Sequence, residues 1–235
     1  MITSTSGPAP YASPQGGNPD HPGLQNQPSD IDATKTNPDF VDVSHHQGDV
    51  DWASYAAAGK KLAICKLTEG SDWSDEKAVE NRAAASKLGL DMGLYHYAGS
   101  SGDHKFGDPV KEADFYVSQV GTLAKNEFPV LDFEDANGLK PDQLVEWAGK
   151  WCATVEEKTG KTPWIYTYAG FLHKLDATPL THYPLWLADY NSIDRDHPPS
   201  AAPWVSLQAW QYTAGAVVPG IEGQVDASYV YGPIP

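Results

Sequence analysis

The sequence predicts an α/β fold, an irregular TIM-like barrel of five β/α units followed by three mainly loop-connected strands. Three observations lead there. Short apolar runs alternate with stretches of helical apolar spacing as far as about residue 174. Beyond it the helical periodicity lapses, and Pro198, Pro199 and Pro203 stand where a further helix would have to run. At 235 residues, the chain has the size of a single barrel domain.

Taken in order, the first strand is expected at Phe40–Ser44 (FVDVS), with Asp42 on the face of Phe40 and Ser44 and with Val41 and Val43 opposite. Asp51 precedes a short helix, Trp52–Ala58, that Gly59 stops. Lys61–Leu67 is the second strand and ends in Thr68-Glu69-Gly70. Asp75–Leu88 has helical spacing, and Leu90–Ala98 is the third strand, with Gly93 allowing close approach inside a small barrel. Pro109 suits the first turn of a helix to about Val120, and Pro141 that of a second to about Lys158. Between these two helices lies EFPVLDFED (Glu127–Asp135), apolar on both faces through Phe133, as in a central parallel strand. Pro163–Tyr168 is the fifth strand, followed by a short helix or turn over Ala169–Lys174. Leu185–Tyr190, Trp204–Tyr212 and Gln224–Tyr229 complete the set.

Residues 1–38 form a separate zone. Seven prolines among Gly, Ser, Asn, Gln and Asp leave too little apolar surface to offset ordering, so a flexible tail is expected ahead of a 39–235 barrel. A formal charge of −15 argues against nucleic acid and against electrostatic capture by an anionic membrane. Cys65 falls in an apolar strand and Cys152 in a helical pattern, so both are expected as buried free thiols. The sequence shows neither a cationic start leading into an apolar run nor an 18-residue apolar stretch, so no signal peptide and no membrane span is expected.

Chemistry concentrates where strands end. In a β/α barrel the working face is at the C-terminal ends of the strands. Asp42, Glu69, His96, the Asp132–Glu134 pair and Asp189 fall there, while Asp226 lies within the last strand. Period 2 puts Asp132 and Glu134 on one face and Leu131 and Phe133 on the other. Two neighbouring acids at the mouth of a buried strand are costly unless they have a task. Each of the others has a plainer reading taken singly: a loop cap for Asp42, a surface acid for Glu69, a satisfied core histidine for His96, a structural pair for Asp226. Eight Trp and twelve Tyr exceed what a core needs; Tyr166, Tyr168, Trp186, Trp210 and Tyr212 are core aromatics in a plain barrel, but those that reach the rim offer platforms for sugar rings, Trp210 and Tyr168 foremost because they lie late in their strands. His45-His46 chelates poorly in an extended chain, and no HExxH spacing or cysteine cluster is present, so metal chemistry is the weaker reading. Acids set among aromatic surfaces suit glycoside hydrolysis, in which one carboxyl donates a proton and another stabilises positive charge at the sugar. Glu134, nearer the mouth and longer, is the expected acid; Asp132 is the deeper, more fixed group.

Read together, VDVSHHQGDVDW (Val41–Trp52), KLTEG (Lys66–Gly70), GLYHY (Gly93–Tyr97), PVLDFED (Pro129–Asp135), PWIYTY (Pro163–Tyr168), LWLADY (Leu185–Tyr190), WQY (Trp210–Tyr212) and VDASY (Val225–Tyr229) resemble the Chalaropsis-type lysozymes, family 25 of the glycoside hydrolases. The resemblance spans about residues 39–232 and rests on the order and spacing of these stretches. It implies an N-acetylmuramidase cutting the β-1,4 bond between N-acetylmuramic acid and N-acetylglucosamine in bacterial peptidoglycan. Glu134 would be the general acid/base, and Asp132 would orient the substrate 2-acetamido group for net retention, with Asp42 and Asp226 as the remaining active-site acids. Glu69, His96, Tyr166, Tyr168, Asp189 and Trp210 are the expected substrate contacts. No metal or organic cofactor is implied, and a monomer acting on the wall is expected. Without an encoded signal, release of a phage-encoded protein through a separate pore or delivery with a virion is the expected route, and a mature secreted bacterial enzyme is the rival. A chitinase-like hydrolase and a non-catalytic sugar-binding barrel stay open as alternatives.

Overall fold

The computed structural model describes residues 32–99 and 105–235. Among them nine strands form one sheet: β1 (Phe40–Val43), β2 (Leu62–Glu69), β3 (Trp73–Ser74), β4 (Asp91–Tyr97), β5 (Glu127–Asp132), β6 (Trp164–Tyr168), β7 (Leu185–Ala188), β8 (Ala209–Ala216) and β9 (Val225–Val230). The order β1-β9-β8-β7-β6-β5-β4-β2-β3, with β1 also paired to β2, closes eight strands into a barrel. The two-residue β3 is an antiparallel appendage on the end of β2. All barrel neighbours are parallel except at β9, which runs antiparallel to both β8 and β1.

Helices α1 (Trp52–Ala57), α2 (Ala78–Lys87), α3 (Pro109–Val120) and α4 (Pro141–Thr159) fill the early crossovers, and the four-residue α5 (Ala169–Leu172) follows β6. Thereafter a single 3-10 turn, Thr178–Leu180, is the last helical element. The change of rhythm expected near residue 174 is therefore real. Local chemistry sets the helix ends. The Asp51 carboxylate accepts from Ser54 N at 3.1 Å, and Asp108 accepts from Val110 N and Lys111 N at 3.0 and 3.1 Å, so free first-turn amides are satisfied. Pro109 and Pro141 occupy first-turn positions, where a missing N–H costs nothing.

Strand alternation divides the core into two layers. Phe40, Ile64, Phe128, Trp164, Tyr166 and Trp186 fill the barrel. Val41, Cys65, Leu131, Phe133 and Ile165 face the helices, where Trp147 and Trp151 of α4 cover them. Gly93 is required inside the barrel: a Cβ there would lie 2.8 Å from Ile64 Cγ1 and 3.1 Å from the Phe128 ring. Both cysteines are buried and unpaired with each other.

Three boundaries differ from expectation. The helix expected from Asp75 begins at Ala78, because the buried Asp75 carboxylate instead receives His45 N at 2.9 Å and Lys77 N at 2.8 Å. The strand expected from Trp204 begins at Ala209; Trp204 sits in the preceding turn and donates its indole N–H to Tyr183 O at 2.7 Å. The expected tail, 1–38, lies mostly outside the described residues. Its last part packs on the barrel: a 3-10 turn at Ala33–Lys35 rests on β8, Tyr212 donates its hydroxyl to Thr36 Oγ1 at 2.8 Å, and Lys60 Nζ reaches Asn37 Oδ1 at 2.7 Å.

Candidate active site

Parity and register bring the acids together. Asp42 shares the inner face of β1 with Phe40, and Asp132 shares that of β5 with Phe128 and Val130. Leu131 and Phe133 belong to the outer layer, which leaves Glu134, just past β5, on the side of Asp132. Asp226 is the second residue of its strand rather than the last. Because β9 runs antiparallel, its beginning lies at the end where β1 finishes, and Asp226 pairs in register with Asp42. All four carboxylates are buried, none more than 6% exposed.

Gln211 of β8 ties this end of the barrel together. Its Nε2 donates to both Asp42 oxygens at 3.1 Å, so the amide orientation follows from the acceptor-only carboxylate. Its Oε1 then accepts the hydroxyls of Tyr166 at 2.9 Å and Tyr190 at 2.8 Å. The Tyr166 ring rests on Trp186, with centroids 4.5 Å apart. Tyr97, opposite Asp132 in the register, lies on the other flank of the acid pair. Burial raises the phenol pKa values of Tyr97 and Tyr166, and the charges of Asp132 and Glu134 push them further. Both therefore stay protonated, and Tyr166 donates to Gln211.

A rim surrounds the acids. A register shift between Lys66 and Thr68 changes the parity of β2, so that Glu69 and Lys66 meet at 2.9 Å on the inner side. The Lys66 ammonium lies 5.1 Å from the Tyr97 ring centre and 5.0 Å from that of Trp73, which β3 lifts to the edge of the cleft. On the other side a pocket of about 330 Å³ opens beside Glu134, bounded by half-buried Tyr168, Leu139, Leu144 and Phe171.

Three expected contacts lie elsewhere. His96 is fully buried on the helix side of β4, its ring stacked 5.2 Å from that of Trp151. Trp210 occupies the outer face of β8 beside Tyr212 and Tyr229, and its indole N–H goes to Asp189 O at 2.8 Å. Asp189 caps the turn after β7 by accepting from Asn191 N at 2.9 Å. Strand parity separates them from the acids: in WQY the inward residue is the glutamine. Gln211, Tyr190, Tyr97 and Lys66 were not anticipated, although a lone Gln between two aromatic residues in an apolar strand was a readable sign. Among the described residues, no group of three or more His, Cys, Asp or Glu side chains is arranged to hold a metal ion.

Comparison with known proteins gives a consistent result. Residues 41–221 match the profile of Glycosyl hydrolases family 25. Lysozyme M1 of Streptomyces globisporus is 30% identical over 207 residues, covering 82% of this chain and 67% of that protein. The crystal structure of a lysozyme from Streptomyces coelicolor superposes with a TM-score of 0.74 at 27% identity, covering 82% of this chain and 91% of that one. The catalytic domain of an endolysin from bacteriophage P40 of Listeria monocytogenes gives 0.67 at 25% identity, covering 83% and 93%.

Proposed function

Because this chain belongs to glycosyl hydrolase family 25, we propose that its four buried acids carry out retaining hydrolysis of the β-1,4 bond between N-acetylmuramic acid and N-acetylglucosamine. The protein is a lysozyme- or muramidase-type glycoside hydrolase acting on peptidoglycan-like substrates. The observation that carries the assignment of residues is the convergence of Asp42, Asp132, Glu134 and Asp226 at one end of the barrel, each buried.

Glu134 protonates the glycosidic oxygen as the bond to the anomeric carbon breaks. Asp132 accepts the N–H of the substrate acetamido group, so that its carbonyl oxygen closes on the anomeric carbon from the opposite side. Water then opens this intermediate with its proton passing to Glu134, and two inversions give net retention. Asp42 and Asp226 add negative charge where the sugar becomes cationic, and Gln211 holds Asp42 in place. Tyr168 and Glu69 contact the glycan on the rim, whereas Tyr166, which has no exposed surface, backs the acids through its bond to Gln211; His96, Trp210 and Asp189 lie apart from the rim.

Glu134→Gln keeps the shape of the side chain and removes its proton. Hydrolysis of purified walls should fall on the order of 10²–10⁴-fold with an unchanged fold, and retained activity would remove Glu134 from this role. Mass analysis of the digest tests the bond: reducing-end muramic acid is expected, whereas reducing-end glucosamine identifies a glucosaminidase. Among the described residues no helix is long and apolar enough to cross a membrane. For delivery to the wall we propose release through a separate membrane pore, supported by the likeness to the Listeria phage domain. Lysis upon expression without any such pore would overturn that route.

A further inference from the structure

Glu112 of α3 is 1% exposed and lies behind β4, on the helix side rather than among the four acids. Its Oε2 accepts Gly99 N at 2.9 Å and His96 Nε2 at 3.1 Å, and its Oε1 accepts Gly107 N at 2.7 Å. A buried carboxylate with three donors is fully employed. With Glu112 as the acceptor, the hydrogen of His96 sits on Nε2, which leaves Nδ1 to accept the Thr68 hydroxyl at 2.9 Å. Burial lowers the pKa of His96, against the pull of Glu112 and Glu69 and in the same direction as the repulsion of Lys66. The histidine is thus a neutral bridge between β2 and α3.

These bonds reach the mouth of β5. Ala98 N donates to Asp132 O at 2.9 Å, one residue before Gly99. Phe106, one residue before Gly107, packs 6.2 Å from Phe133, which separates Asp132 from Glu134. Gly107 O accepts the Trp147 indole N–H at 2.8 Å. A Cβ on Gly107 would lie 2.6 Å from Glu112 Oε1, so a larger residue there would have to displace that carboxylate.

We propose that Glu112 is a positioning residue for the Asp132–Glu134 pair. Through His96 and the amides of Gly99 and Gly107 it fixes Ala98 on the Asp132 carbonyl and Phe106 against Phe133. It thereby sets the direction in which both acids leave β5. This rests on the catalytic roles proposed above for that pair.

Glu112→Gln preserves volume, but its NH₂ group must face at least one donor. Below its melting transition the folded variant should lose about tenfold to 10²-fold in kcat on purified walls, with KM within about threefold of the parent. A merely structural role would lower the melting temperature and leave kcat of the folded protein unchanged. His96→Gln can still donate to Glu112 and accept from Thr68, so its kcat should stay within about threefold. His96→Leu can do neither and should fall with Glu112→Gln. A folded Glu112→Gln protein with unchanged kcat overturns the proposal, as does equal activity of the two His96 variants should Glu112→Gln fail to fold. Product analysis of the parent enzyme is the control: a wrong reducing end refutes the proposed reaction, whatever the variants do.

Discussion

Gln211 shows how one neutral side chain can organise a cluster of acids. An amide offers donors and acceptors on opposite sides, so it binds the Asp42 carboxylate at one end and two phenol hydroxyls at the other. A carboxylate in its place would repel Asp42, and a lysine would remove the acceptor that Gln211 offers to both phenols. Gln211→Leu strips all of these contacts from groups that are themselves buried. The kcat/KM on purified walls should fall about 10–100-fold, equivalent to roughly 1.4–2.7 kcal/mol of transition-state stabilisation. Turnover within twofold of the parent would show that Asp42 needs no such support.

The decisive element is β5, held at both ends by different means. Its mouth carries the acids, while its beginning is fixed by Glu127, which binds Arg82 Nε at 2.8 Å and Nη2 at 2.6 Å and accepts Ala124 N at 2.8 Å. Burial opposes ionisation of Glu127, but these bonds and the Arg82 charge outweigh it, so its pKa is lowered below 4.5. A lowered folded pKa means stability that is fully present above the unfolded value and is lost as pH falls through the folded one. Glu127→Gln should therefore cost about 2–3 kcal/mol at neutral pH. The gap from the parent should close as the pH falls below about 4.5. Denaturant melts across pH test this, and a constant gap would refute the ionic origin. The apolar run of β5 and its paired acids were visible in EFPVLDFED, since alternation is a local property. Its anchor was not, because Arg82 is 45 residues away.

At the scale of the molecule, closure of the barrel involves the chain before β1. The Ala33–Lys35 turn and Thr36 lean on β8, while Asp39 accepts Val230 N at 2.9 Å and pairs with Arg195 at 2.7 Å across the seam. Deleting residues 1–31 should leave both melting temperature and activity on soluble fragments unchanged. Deleting 1–36 also removes a buried alanine methyl and the Tyr212–Thr36 hydrogen bond, about 1–2 kcal/mol together. That corresponds to a fall of roughly 2–8 °C in a domain of this size, with kcat preserved because none of the four acids lies there. A lower kcat in a folded truncation would show that the segment shapes the cleft.

The sequence alone determined the fold class, the loss of helices after the fifth unit and the placing of Asp132 and Glu134 on one face at the end of a buried strand. These follow from periodicity, turn residues and local composition, which operate over a few residues. Tertiary structure decided which residues face one another. It showed β9 reversed, so that an acid at a strand's beginning meets one at another's end. It placed the β2 irregularity that turns Glu69 inward. It put Gln211 inside with Trp210 outside, and His96 behind the sheet on Glu112. Strand direction and cross-strand register arise from pairing between distant segments, and one residue of slip exchanges the two faces.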